Sequence, residues 1–188
     1  MIRVTGPHSV ARKEQKQLEV RFRVRPLVSQ MKYSIKAHPT KYAGVQFRSR
    51  LEARWAAFFD LAAWKWDYEP IDFEGWSPDF RVEFPCKHSE CRPSHVLFVE
   101  VKPYYSIEEF RGHPCLDYPY GGIAEVDGEF TFLIPADASA AFGATPETTY
   151  WCMGHGCGGG DEEILNWVDD TTMKWRQAGN IVQWHVRG

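Results

Sequence analysis

The chain has 188 residues, of which 44% are hydrophobic and 25% charged, the balance of a globular protein with one domain or one domain and an elaboration. Those proportions exclude a disordered, collagenous or fibrous chain, and no apolar run approaches the roughly 18 residues of a membrane span. The first 25 residues lack the apolar core of a signal peptide, so the expected compartment is the cytoplasm. Charge is unevenly spread. Residues 1–54 carry 13 Lys and Arg against Glu14, Glu19 and Glu52, a net of +10, while residues 55–188 carry 9 against 22 acids, a net of −13. A basic third on an acidic body suits either a polyanion-binding flank or an arm that neutralises the body it packs on.

Residues 1–17 are polar and basic, with little periodicity. Leu18, Val20, Phe22 and Val24 alternate with Arg21, Arg23 and Arg25, which predicts a half-buried strand ended by Pro26. Residues 29–46 contain Pro39 and Gly44 and are expected to form a loop or short irregular elements. Ser49 stands three residues before Glu52, the capping-box spacing, and Leu51, Trp55, Phe58, Phe59 and Ala62 form an apolar helical stripe. Extended segments follow over 64–68 and 76–84, with a breaker-rich loop over 85–95. Val96–Val101 is the most apolar strand and is expected to be central. A short helix is expected over 104–112, a strand over 129–134, no regular structure over the glycine-rich 154–160, a helix capped by Asp161, and a last strand over 181–186. There is no internal repeat. The predicted fold is a mixed α/β domain whose four- to five-stranded mixed sheet is flanked by helices, with residues 1–44 as a basic arm and strand and 45–188 as the main domain.

Within strand Val96–Val101, Glu100 and the following Lys102 project to one face while Val99 and Val101 enter the core. An acid and a base on an otherwise apolar strand need compensation when buried. Either they pair with each other on a half-exposed face, or a divalent cation held by Asp79 and Glu100 supplies it, with Lys102 close enough to act on a water or a phosphate.

Pro78-Asp79 followed by Glu100-Val101-Lys102 resembles the PD-(D/E)XK nuclease superfamily, as found in restriction endonucleases, phage and recombination nucleases and transposon end-cleaving subunits. The upstream helix places Glu52 where many members carry a glutamate at the metal site, and Trp66-Asp-Tyr-Glu-Pro70 is similar to a segment between helix and PD strand in some of them. The match covers about residues 45–105. The resemblance implies a restriction-endonuclease-like core and a Mg²⁺- or Mn²⁺-dependent phosphodiesterase acting on DNA, with RNA an alternative substrate. Asp79 and Glu100 would be the principal metal ligands, Glu52 a further ligand or an orienter of bound water, and Lys102 the group that positions or helps deprotonate the attacking water. An endonuclease of phage or mobile-element DNA metabolism is the expected role, in the host cytoplasm if phage-encoded, and double-strand cleavage would suit a homodimer.

Lys41, Arg48, Arg50 and Arg54 surround the start of the helix and are candidate phosphate contacts, or else a solvated helix face. Glu69 either lies near the site or is a salt-bridged strand end. Cys86-x4-Cys91 and Cys152-x4-Cys157 form two matched pairs enclosing His88 and His155, candidate ligands for one structural Zn²⁺, against buried or free thiols as the other reading. An iron–sulfur cluster fits less well, because the superfamily relatives that carry one group three cysteines near the C-terminus, where this chain has two. Cys115 has no partner in this scheme. Of the eight tryptophans most are expected in the core, with Trp76 the exception available for stacking on bases. Two alternatives to an enzyme stay open: a non-catalytic nucleic-acid-binding module, and a zinc-stabilised interaction subunit that keeps the nuclease fold.

Overall fold

Capping chemistry and a strand apolar on both faces set the architecture. The computed structural model describes residues 37–73, 75–117, 123–126, 129–132, 136–156 and 158–183, all within the compact unit Lys36–Gly188. The predicted strand at Leu18–Arg25 lies outside the described residues, as do Cys157 and the last residues of the strand expected over 181–186.

Ala43 and Gly44, both at positive φ, fold β1 (Thr40–Tyr42) back onto β2 (Val45–Phe47), the conformation a two-residue hairpin turn requires. α1 (Arg50–Leu61) begins where the capping box places it. Ser49 Oγ accepts from the Glu52 N–H at 3.2 Å and donates to the Glu52 carboxylate at 2.7 Å. The helix ends in a Schellman motif: Ala63 sits at φ 57, its N–H donating to Asp60 O and the Trp64 N–H to Phe59 O. Trp55, Phe58 and Phe59 are wholly buried against the sheet.

β3 (Lys65–Tyr68), β4 (Phe80–Pro85) and β5 (Ser94–Val101) form an antiparallel meander. A 3-10 turn (Ile107–Phe110), α2 (Pro114–Asp117) and a separate ribbon of β6 (Ile123–Val126) and β7 (Glu129–Phe132) follow. β8 (Ala138–Phe142) then pairs in parallel with β5, and β9 (Thr149–His155) and β10 (Gly158–Glu162) continue the sheet antiparallel. The chain closes with a 3-10 turn (Ile164–Asn166) and α3 (Thr171–Ile181). The sheet order is β10-β9-β8-β5-β4-β3. The α/β class and the central position of β5 are as expected, but the mixed sheet has six strands rather than four or five. α1 and α3 cover one face; Trp76, Phe110, Cys115 and their neighbours cover the other.

The differences from sequence expectation have common causes. β8, Ala-Ser-Ala-Ala-Phe, carries no strand-like alternation, because it is buried on both faces between β5 and β9 and needs small side chains. The glycines of 154–160 do not break structure, since β10 is an exposed edge strand with its backbone paired to β9. Asp161 is accordingly a strand residue that accepts from Tyr150 OH at 2.9 Å, not a helix cap. Ile164 and Val168 still cover the core, from a 3-10 turn and the loop after it rather than from a helix. Ile181 closes α3 instead of opening a strand. Of the strand expected over 129–134, Glu129–Phe132 forms β7, outside the main sheet, and residues 133–134 lie outside the described residues.

Two contacts lock α1 in place. Trp55 Nε1 donates to Gly143 O at 2.9 Å, where any Cβ at position 143 would fall 2.6 Å or less from Thr148 and from Tyr104 O. Arg54 lies over the Trp175 ring, 3.8 Å from its centroid, and donates to Trp175 O from Nε and Nη2 at 3.1 and 2.8 Å. Arg54→Ala removes two charge-assisted hydrogen bonds and a cation–π contact between α1 and α3, and should lower stability by about 1–3 kcal/mol in urea titration.

Candidate active site

Strand register brings the two main carboxylates together. Phe80 pairs with Val99, so one step outward sets Asp79 beside Glu100, and residues opposite one another in a sheet share a face. Both are nearly fully buried, at 2% and 4% exposure. Asp79 Oδ2 accepts from the Val101 N–H at 2.7 Å and Oδ1 from Arg48 Nη2 at 2.5 Å. Glu100 Oε2 accepts from Trp76 Nε1 at 2.6 Å, and Oε1 is ion-paired with Lys102 Nζ. His113 Nε2 stands 3.5 Å from the same Oε1. The Cys115 N–H donates to His113 Nδ1 at 3.2 Å, so Nε2 is the ring nitrogen turned to Glu100.

Glu52 borders this pair from the start of α1. Beyond its cap it accepts from the Arg48 N–H at 3.2 Å and from Tyr68 OH at 2.5 Å. Burial and this bond to Glu52 push the Tyr68 phenol above its ordinary range, so it remains a donor. Arg48 also bridges to Glu69 at 3.1 Å, and Glu69, at φ 46, donates its N–H to Asp79 O. Glu69 is thus the salt-bridged strand-end residue, one cation away from Asp79.

The charges balance unevenly. Burial, and then the neighbouring Glu100, push the Asp79 carboxyl up to about 7 against the opposing pull of Lys102 and the Val101 N–H. Burial also pushes Glu100 up, but the His113 hydrogen bond, the charge and hydrogen bond of Lys102, and Trp76 outweigh it and leave Glu100 below the usual carboxylate range. For Lys102, burial pulls down and Glu100 pulls up more strongly, so the ammonium stays charged. Two buried carboxylates with a third at their edge form a hard oxygen donor set, and Asp79 is the member whose charge the protein leaves least compensated. That set fits a divalent cation such as Mg²⁺.

Of the residues singled out by sequence, Asp79, Glu100 and Lys102 converge, with Glu52 and Arg48 adjoining. Arg50 and Lys41 are exposed. Arg54 is turned to α3 and is a docking residue. Trp76 is buried rather than available for stacking, because its indole N–H is the donor that fixes Glu100. His113 escaped sequence reading: it sits in a loop with no periodicity, and only the fold returns that loop to the end of β5. Tyr68, within the Trp66–Pro70 segment, joins the site as a donor to Glu52 that no local pattern in the sequence marks.

The cysteines partition differently from their spacing. Cys86, Cys91, His95 and His155 converge, each offering one ligand atom, with all four atoms within 4.8 Å of one another. Cys152 is not among them. It lies three residues before His155 on β9, hence on the opposite strand face, beside Tyr150. His95, on the strand carrying Glu100, is the member that spacing overlooked. Comparison of the chain with protein-family models, curated proteins and solved structures gave no match. Among the described residues no helix is long and apolar enough to cross a membrane.

With the Asp79 carboxyl pushed up to about 7 by burial and Glu100, between about pH 4 and 7 the folded chain keeps a proton that the unfolded chain releases, and stability falls as pH rises through that window. Asp79→Asn keeps an acceptor for the Val101 N–H and removes the buried charge. In chelator-treated protein its melting temperature relative to wild type should be higher near about pH 8 than near about pH 5, by several degrees. A thermal shift that is the same at both pH values would contradict the assignment.

Proposed function

We propose that this chain is a Mg²⁺- or Mn²⁺-dependent nuclease that hydrolyses DNA phosphodiester bonds, an endonuclease of phage or mobile-element DNA metabolism built on a restriction-endonuclease-like core. The observation that carries this reading is the convergence of Asp79, Glu100 and Lys102 at one end of β5, with the α1 carboxylate of Glu52 at their edge. The order of elements supports it: α1, the antiparallel β3-β4-β5 meander, then β8 parallel to β5.

In this reading Asp79 and Glu100 hold the cation, and Glu52 orients a water or adds a ligand. When bound, the cation supplies positive charge against the phosphoryl oxygens and acidifies a water. The residues of the chain do the positioning. Trp76 and His113 donate to Glu100 and hold its carboxylate in one rotamer, and the Val101 N–H does the same for Asp79. Lys102, charged at neutral pH, directs its ammonium toward the attacking water or a non-bridging phosphate oxygen. Arg48 is exposed and held by Asp79 and Glu69, so a phosphate can compete for it as substrate arrives.

Asp79→Ala or Lys102→Ala should reduce Mg²⁺-dependent cleavage by on the order of 10²-fold or more, with the circular dichroism spectrum retained. A panel of linear, circular, branched and single-stranded substrates reads the activity. Cleavage retained in either variant overturns the proposal, and salt-sensitive DNA binding without any cleavage supports a binding module instead. Arg50→Ala, exposed at the start of α1, should lower DNA affinity and reduce the slope of log K against log salt by about 0.9, as one lost phosphate contact does.

A further inference from the structure

At the end of β5 remote from Asp79 and Glu100, the loop joining β4 to β5 reaches across the end of β8 to the β9–β10 turn. Cys86 follows β4, Cys91 lies in the loop, His95 is the second residue of β5, and His155 ends β9. The sheet order sets β8 between β5 and β9, so the four side chains join the paired strands β4 and β5 to β9, which neighbours neither of them in the sheet. We propose that Cys86, Cys91, His95 and His155 bind one structural Zn²⁺ that staples this end of the sheet.

Three observations point to a metal. First, the separations fit. Tetrahedral zinc with bonds of about 2.3 Å to sulfur and 2.0–2.1 Å to nitrogen sets S and N about 3.5 Å apart. Cys86 Sγ and His155 Nε2 are 3.5 Å apart, and the whole set lies within 4.8 Å. Second, His95 is only 3% exposed and neither ring nitrogen has a hydrogen bond. Nδ1 stands 3.4 Å from Asp137 Oδ2, a carboxylate fixed by the Val96 N–H at 2.8 Å and by Arg92. That arrangement leaves Nε2 as the ligand and Asp137 as the outer partner that orients the ring. An imidazole buried with nothing at Nε2 would otherwise lose the hydrogen bonds it makes in water. Third, backbone donors face the sulfurs: the His88 N–H approaches Cys86 Sγ at 3.4 Å and the Gly156 N–H approaches Cys91 Sγ at 3.0 Å. Position 156 needs glycine for this, at φ +63 and with any Cβ 2.8 Å from the His88 ring. His88 Nδ1 accepts from the Glu90 N–H and takes no part in the set.

The donor set selects the ion. Two thiolates and two imidazoles favour zinc over Mg²⁺ or Ca²⁺. A two-iron cluster with cysteines on one iron and histidines on the other would hold sulfur and nitrogen further apart than Cys86 and His155 stand. Five residue steps along an extended strand separate His95 from Glu100, about 17 Å. The zinc site is therefore independent of the nuclease reading.

The test measures zinc in full-length protein purified without chelator and dialysed, by plasma mass spectrometry, with the Co²⁺-substituted protein read by absorption. One zinc per chain is expected, together with tetrahedral cobalt bands and thiolate charge transfer. Cys86→Ser and His95→Ala should lose it, Cys152→Ser should keep it, and so should the double variant Asp79→Asn, Glu100→Gln. Should the first two variants fail to fold, His155→Cys decides: it should retain cobalt and gain charge-transfer intensity from a third thiolate. Trace zinc in wild type, octahedral cobalt without thiolate charge transfer, loss of metal in Cys152→Ser, or unchanged charge transfer in His155→Cys would each overturn the assignment.

Discussion

Two carboxylates lie side by side at the end of a buried strand, and the surrounding structure is organised around their charge. Ionised groups lose most of their hydration at that depth, so each needs donors in fixed places. Glu100 has three, from Trp76, His113 and Lys102. Asp79 has the Val101 N–H and an exposed arginine that also serves Glu69. The inequality leaves Asp79 with the raised pKa, a perturbation of the kind that clusters at functional sites. The loop bearing Trp76 and the turn bearing His113 are held in place by their own cluster with Phe98 and Phe110, so the second face of the sheet supports the site as well as the fold.

β5 carries different chemistry at its two ends. Glu100 and Lys102 end it among oxygen donors, and His95 opens it among sulfur and nitrogen donors. Leu97, Phe98 and Val99 between them are fully buried and exclude water from both. A staple at the His95 end would restrain β4, β5 and β9 without touching the carboxylates. The glycine-rich turn serves that end because its backbone approaches the Cys91 sulfur where a side chain would collide with His88.

The basic segment resolves into separate roles. Arg48 bridges Asp79 and Glu69, Arg54 docks α3, and Arg50 and Lys41 are exposed. The +10 charge of residues 1–54 is therefore partly structural: Arg48, just before the Ser49 cap, is engaged with acids, and Arg54, one turn into α1 from Arg50, is turned to α3.

Local chemistry was enough to read α1, because a capping serine, an N3 glutamate and a 3.6-residue apolar stripe all act within a few residues. It was also enough to read β5 and the shared face of Glu100 and Lys102, since pleating alone decides that. The α/β class follows from the same periodicities. Other features depend on distant partners. β8 is a strand because β5 and β9 supply its hydrogen bonds, and its alanines are small because both its faces are covered. Trp76 is buried because Glu100 needs its N–H. His113 joins the site, and His95 displaces Cys152 from the soft-ligand cluster, through strand parity and loop return across the sheet. Spacing in the chain could pair cysteines with cysteines; only packing in three dimensions brings two histidines to them.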